Sequence, residues 1–228
     1  MRLPRAFIKN ILPEKCRGAV RNAYVKVLKV FKKDVDYFYD EEFAKALLRD
    51  KSWAEDFCNL IVETFNPNSV IDFGCGTGDI LRPFEKKNLT VLGIDGSRAN
   101  KKYSKIDKKN FTLFDLRKKY NARSKYDICF CFEVAEHIAE RYTDILISSL
   151  TCSSRTILFT ASPSIEGVEH VTVHPCEWWV EKFRKYGFEF DRRTTKDLKG
   201  KMYKISGIEK WYIDNMLIFR KSGTEEEN

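Results

Sequence analysis

The sequence has little of what marks an exported, disulfide-built or membrane-spanning protein. Its seven cysteines are odd in number and never spaced CxxC, which argues against a disulfide framework or a structural zinc site and fits reduced thiols. No apolar run approaches the roughly 18 residues that a membrane span needs, and the N-terminus lacks the apolar core of a signal peptide. Histidine is scarce, with three in 228 residues, and internal repeats are lacking. These absences lead to the expectation of a cytoplasmic protein with one main domain, and 43% hydrophobic content suffices for its core.

What is present is distributed unevenly. Residues 1–33 hold ten Lys/Arg against Glu14 alone, a net +9, whereas the remaining 31 basic and 32 acidic residues sum to −1. The expected organisation is therefore a basic amphipathic extension over residues 1–33, an α/β domain over 34–221 and a disordered acidic tail over 222–228. Apolar residues such as Phe7, Ile11 and Val27 interleave with the bases of the extension. That pattern fits attraction to an anionic membrane surface, contact with a nucleic-acid backbone, or packing on the chain's own domain.

Helical spacing of apolar residues over 41–65 precedes a break at Asn66, Pro67 and Asn68. Five short β-type runs then follow at 70–73, 91–94, 111–114, 128–132 and 156–160, separated by segments long enough for helices. A helix is predicted from Pro175 to Tyr186, strands at 188–190 and 216–219, and a polar insertion or lid over 194–215. Alternating strands and helices imply a doubly wound, mostly parallel Rossmann-like sheet of seven strands with helices on both faces.

The run DFGCGTG over residues 72–78 lies directly after a strand pattern and before a helix. Glycines there allow a tight turn and close approach of a ligand to the backbone. The next strand ends at Asp95 and Gly96, and that carboxylate stands 21 residues after Gly74, near the offset of roughly 20 at which an acid meets two ribose hydroxyls. A nucleoside cofactor follows. A dinucleotide is disfavoured, because Asp79 occupies the place where its fingerprint has glycine or alanine.

The same run resembles the first motif of the class I S-adenosylmethionine-dependent methyltransferases, the resemblance extending from about Asp36 to Asp191. It implies S-adenosylmethionine as cofactor and S-adenosylhomocysteine as product. Asp72 with Gly74, Cys75, Gly76 and Gly78 would hold the methionine part, Asp95 with Gly96 the ribose, and Asp115 with Leu116 the adenine edge. Phe132 would border cofactor and acceptor. Residues 133–138, EVAEHI, resemble the EVxEH segment of small-molecule and sugar methyltransferases, and Gly167, His170 and Trp179 continue that likeness.

All three histidines, His137, His170 and His174, fall in these two segments. Methyl transfer from a sulfonium asks chiefly for alignment and one base to deprotonate the acceptor. His137 is the expected base and His170 the second choice, with Glu133 as orienter. The acceptor is expected to be a small molecule, sugar or lipid-linked glycan, methylated at oxygen or nitrogen. No metal ligand is assigned, yet Glu133, Glu136 and His137 would share one face if a helix began at Glu133. Together with His174 and Glu177 they also resemble metal-dependent RNA 2′-O-methyltransferases, with RNA as the alternative partner. A third reading is a cofactor-binding regulatory protein without turnover.

Overall fold

The computed structural model describes residues 51–165 and 170–223. The basic extension, the start of the 41–65 helical stretch, Gly167 and the end of the acidic tail lie outside them.

Helix α1, Trp53–Phe65, buries Phe57, Cys58 and Ile61, and ends at Asn66. That residue takes a left-handed conformation, φ 45°, and its N–H donates to the Val62 carbonyl. There follow β1 Ser69–Phe73, α2 Leu81–Lys86, β2 Thr90–Asp95, α3 Arg98–Lys102, β3 Phe111–Leu113, β4 Ile128–Phe132, α4 Thr143–Ser153 and β5 Thr156–Thr160. The C-terminal part adds α5 Cys176–Arg184, β6 Phe188–Phe190, α6 Arg192–Met202, α7 Lys210–Asp214 and β7 Leu217–Lys221.

The strands form one sheet in the order β3-β2-β1-β4-β5-β7-β6. It is parallel except for β7, which runs antiparallel to both β5 and β6. The expected seven-stranded Rossmann-like architecture is therefore present. Helices cover both faces, which is why β1 and β4 are apolar almost without interruption. Along β4 the side chains alternate: Ile128, Phe130 and Phe132 enter one core cluster with α1 and α2, while Cys129 and Cys131 enter the other with α4 and α5. Those two thiols fill space, and all six described cysteines are free.

Several expectations change in detail: the first two strands run Ser69–Phe73 and Thr90–Asp95, and the helix after Pro175 ends at Arg184. The third strand ends at Leu113 rather than at residue 114, the Phe114 N–H making the last ladder bond, to the Asp95 carbonyl at 2.9 Å. The supposed polar insertion contains α6 and α7, since Thr195, Leu198, Met202 and Ile213 supply it with a buried side. The last strand begins one residue late and extends to Lys221. Among the described residues no helix is long and apolar enough to cross a membrane.

The sheet order reverses between β1 and β4, both of which run the same way. A crevice opens at such a point beyond the strands' C-terminal ends, where their connecting loops diverge.

Candidate active site

The glycine loop leaves β1 at Phe73. Gly74, Gly76 and Gly78 have φ of 80°, 57° and 81°, a region in which side chains are strained. Position 74 is also sterically closed: a Cβ there would lie 2.2 Å from Val134 Cγ2. The loop is fixed from β2, whose Ile94 carbonyl accepts the Gly74 N–H at 2.7 Å.

Asp95 ends β2 and is the hub of this half of the site. Its Oδ2 accepts the Gly76 N–H at 3.0 Å, and its Oδ1 accepts the Ser97 N–H at 2.8 Å and Asn100 Nδ2 at 3.1 Å. Burial pushes its pKa up to about 6, against the pull of these donors. Asp72, wholly buried in β1, is pushed up to about 7 by burial, with the Lys51 charge opposing and Asp95 reinforcing. Cys75 is buried in the core, and its Sγ would stand 2.7 Å from a Cβ at Gly93. Its contribution toward a ligand is thus its backbone, and Gly93 is the residue that makes room for it.

The raised Asp72 pKa has a consequence for stability. Its ordinary value is 3.8, so between that value and about 7 the unfolded chain releases a proton that the folded chain keeps. Stability from this group is full below the lower value and is lost as pH rises through the upper one. Asp72→Asn is therefore expected to stabilise the ligand-free protein at pH 8 by roughly 2 kcal/mol, with a much smaller gain at pH 5. Denaturant titrations at the two pH values check this, and equal gains at both would refute it.

Opposite the glycine loop, β4 runs into Glu133. A helix starting there would have put Glu133, Glu136 and His137 on one face, but Glu133 has φ 53° and only a single 3₁₀ turn, Ala135–His137, follows. The expected helical face is corrected accordingly. The unusual backbone is held by β5, whose Thr160 carbonyl and Oγ1 accept the Glu133 N–H at 3.1 and 2.9 Å, a cost typical of functional turns.

The turn nevertheless gathers charge. Ligand atoms of Glu136, His137 and His170 all lie within 4.8 Å of one another. The His137 and His170 rings meet edge to face, centroids 5.0 Å apart. His170 reaches this place because the Glu136 carbonyl accepts the N–H groups of Val171 and Thr172 at 2.7 and 3.0 Å. Thr172 Oγ1 donates to the Ile138 carbonyl at 2.6 Å. His170 Nδ1 faces the Ser164 carbonyl, an arrangement that places its proton on Nδ1 and leaves Nε2 basic.

Glu136 is wholly buried. Burial, and then the charge of Glu133, pushes its pKa up to about 8. Glu133 is raised as well, first by burial, while hydrogen bonds to Thr160, Asn215 and Glu136 oppose the shift. A buried carboxyl beside a half-buried one favours a shared proton or a cation between them. Ser162 N donates to Glu136 Oε1 at 3.1 Å, and Asn215 Nδ2 to Glu133 Oε1 at 3.3 Å. The glycine loop and the ribose-type acid thus stand at the C-terminal ends of β1 and β2, and the acid/histidine cluster follows the end of the neighbouring β4.

Comparison with known proteins agrees with this geometry. The family described as Methyltransferase domain matches residues 41–153. Residues 41–153 therefore belong to the methyltransferase domain family. A ubiquinone biosynthesis O-methyltransferase of Rhodopseudomonas palustris is 34% identical over 76 residues, 31% of this chain and 30% of that protein. The chain thus spans 29–42% of the length of curated relatives of this kind. A TehB-like methyltransferase from Corynebacterium glutamicum superposes with a TM-score of 0.56 at 15% identity, covering 89% of this chain and 98% of the other. An O-methyltransferase of a polyketide synthase from Brevibacillus brevis, solved with S-adenosylhomocysteine, superposes at 0.52 with 17% identity, over 78% and 74%.

The remaining site candidates are dispersed around the strand ends. Asp115 lies two residues beyond β3 and is engaged by Arg117, whose Nε and Nη2 donate to its two oxygens at 2.8 Å each. These bonds hold its carboxyl below the usual range despite partial burial. Leu116 packs on the second core cluster. Gly96 follows Asp95 and is half-buried. Phe132, at the end of β4, stacks on Phe130 and meets Tyr212 of α7. His174 stays apart from the cluster: it faces Glu140 at 3.2 Å and stacks on Trp178. Trp179 and Phe183 are core residues rather than pocket walls.

Sequence reasoning missed Ser97 and Asn100. A capping signature was available for the first, which receives the Asn100 N–H at 3.1 Å and starts α3. Asn215 had no local signal, since its role depends on α7 folding back over β4.

Proposed function

We propose that this chain transfers the methyl group of S-adenosylmethionine to a hydroxyl oxygen of a small-molecule acceptor, with His137 or His170 receiving the hydroxyl proton. The observation that carries this reading is the juxtaposition, across the β1/β4 crevice, of the Asp95-bound glycine loop and the Glu136, His137 and His170 cluster. Oxygen rather than nitrogen is favoured by the O-methyltransferase names of the curated relatives. Asp72, the glycine loop, Asp95 and Phe132 would hold the cofactor, leaving the histidine wall to the acceptor.

A second reading keeps the reaction and adds a divalent cation. The cluster of Glu136, His137 and His170, beside Glu133, is a hard oxygen and nitrogen donor set suited to magnesium, manganese or zinc. A cation there would relieve the carboxyl pair, and when bound would lower the acceptor hydroxyl's pKa. RNA as acceptor gains no support from the site, because His174 lies outside the cluster.

The test is transfer of labelled methyl from S-adenosylmethionine into extract divided into lipid, small-molecule, RNA and protein pools, with and without chelator. Label in the small-molecule or lipid pool is expected. Chelator resistance supports the histidine base alone, and a loss of about tenfold or more, restored by added metal, supports the cation. Label confined to RNA or protein, or cofactor binding with no transfer anywhere, would overturn the proposal.

A further inference from the structure

Four large apolar side chains are exposed among the described residues: Leu113 at 39%, Ile165 at 73%, Tyr203 at 55% and Trp211 at 54%. Leu113 pairs with Asp95 at the end of β3 and so borders the cofactor crevice. The other three have no such account, yet they belong to the same end of the molecule. Ile165 follows β5 beyond its C-terminal end. Trp211 lies in α7, which leads into the start of β7, and β7 pairs with the end of β5 through Phe159 and Leu217. The Tyr203 hydroxyl donates to the Asp214 carboxylate at the end of α7.

This rim is also strongly basic. Residues 192–210 contain seven Lys/Arg and two acids, a net +5, within a domain region that is otherwise close to neutral. Helix α6 turns Thr195, Leu198 and Met202 inward. Arg192, Lys196, Lys199 and Tyr203, at i, i+4, i+7 and i+11, therefore line one flank of it, ending beside α7, where Lys199 Nζ donates to the Asp214 carbonyl at 2.8 Å. An exposed indole and phenol set among lysines is the composition of a surface that sits at a lipid headgroup boundary. A nucleic-acid groove would use rings for stacking, but the most exposed member here, Ile165, is aliphatic and has no stacking use.

We infer that the α6–α7 rim is a docking surface for an anionic phospholipid bilayer, seating Trp211 and Tyr203 at the headgroup level so that the mouth of the crevice faces the membrane. The inference does not depend on which acceptor is methylated. It places the contact on the rim, independently of the N-terminal extension.

The full chain would be mixed with vesicles of phosphatidylcholine alone and with about one-third phosphatidylglycerol, some lipids carrying brominated acyl chains that quench nearby tryptophan. Binding and quenching are expected only with the anionic vesicles. Trp211→Phe should remove most of the quenching, because Trp211 is the exposed one of the four tryptophans: Trp53, packed against Tyr212, and Trp179 are buried, and Trp178, in α5, stacks on His174. The double variant Arg192→Glu, Lys196→Glu should weaken binding by about tenfold or more at moderate ionic strength, while its cofactor titration, a separate check on folding, stays unchanged. Vesicle binding that is insensitive to the double variant, quenching that survives Trp211→Phe, absence of binding, or binding to single-stranded RNA in preference to the vesicles would each overturn the inference.

Discussion

Replacing His137 with alanine is expected to slow methyl transfer by roughly 10²- to 10⁴-fold while leaving cofactor affinity within about twofold, the pattern left by loss of a general base. His137 closes the 3₁₀ turn that follows β4, and its ring stands edge to face against His170, across the crevice from the glycine loop. The contact with the glycine loop at position 74 is made by Val134, three residues earlier, so donor binding and base function should separate. Single-turnover transfer, measured beside a calorimetric titration of the cofactor, reads the two independently. A wild-type rate in the variant would reduce His137 to a structural residue. If a cation occupies the cluster, the variant should also lose its response to chelator, since one of three ligands is gone.

Asp95→Ala should act on the other wall. Its carboxylate holds the Gly76 N–H, the Ser97 N–H and the Asn100 amide, so its removal both costs charge-assisted bonds to ribose and frees the middle of the glycine loop. A loss of about 2 kcal/mol in cofactor binding, close to 30-fold, is expected, with some loss of thermal stability besides. Asn100→Ala provides the control, removing one of the carboxylate's three donors and leaving the ribose contact. Unchanged affinity in Asp95→Ala would refute the ribose assignment.

The parts of this fold that were legible in the sequence are those governed by local chemistry. The glycine run after β1 could be read because only glycine tolerates the backbone found at positions 74, 76 and 78. The strands at 128–132 and 156–160 could be read to the residue because burial on both faces leaves uninterrupted apolar runs. The EVxEH segment was recognisable, but its geometry was not: spacing alone suggested a helix, whereas two bonds from Thr160, 27 residues away, impose a turn at Glu133. His170 could be nominated but not placed, since its position depends on hydrogen bonds to the Glu136 carbonyl. The helices α6 and α7 were obscured because their buried sides consist of a few residues in a lysine-rich stretch.

The contact between positions 74 and 134 bears on how such a site can diversify. The donor loop and the acceptor loop are interlocked: Val134 fills the volume that any side chain at position 74 would need. The left-handed backbone holds position 74 to glycine whatever stands at 134, so the volume Val134 fills is open to it only because the donor loop carries no side chain there. Altering the acceptor preference of this chain through residues 133–138 is in that sense also an intervention on its donor site, and position 134 is where a redesign would have to begin.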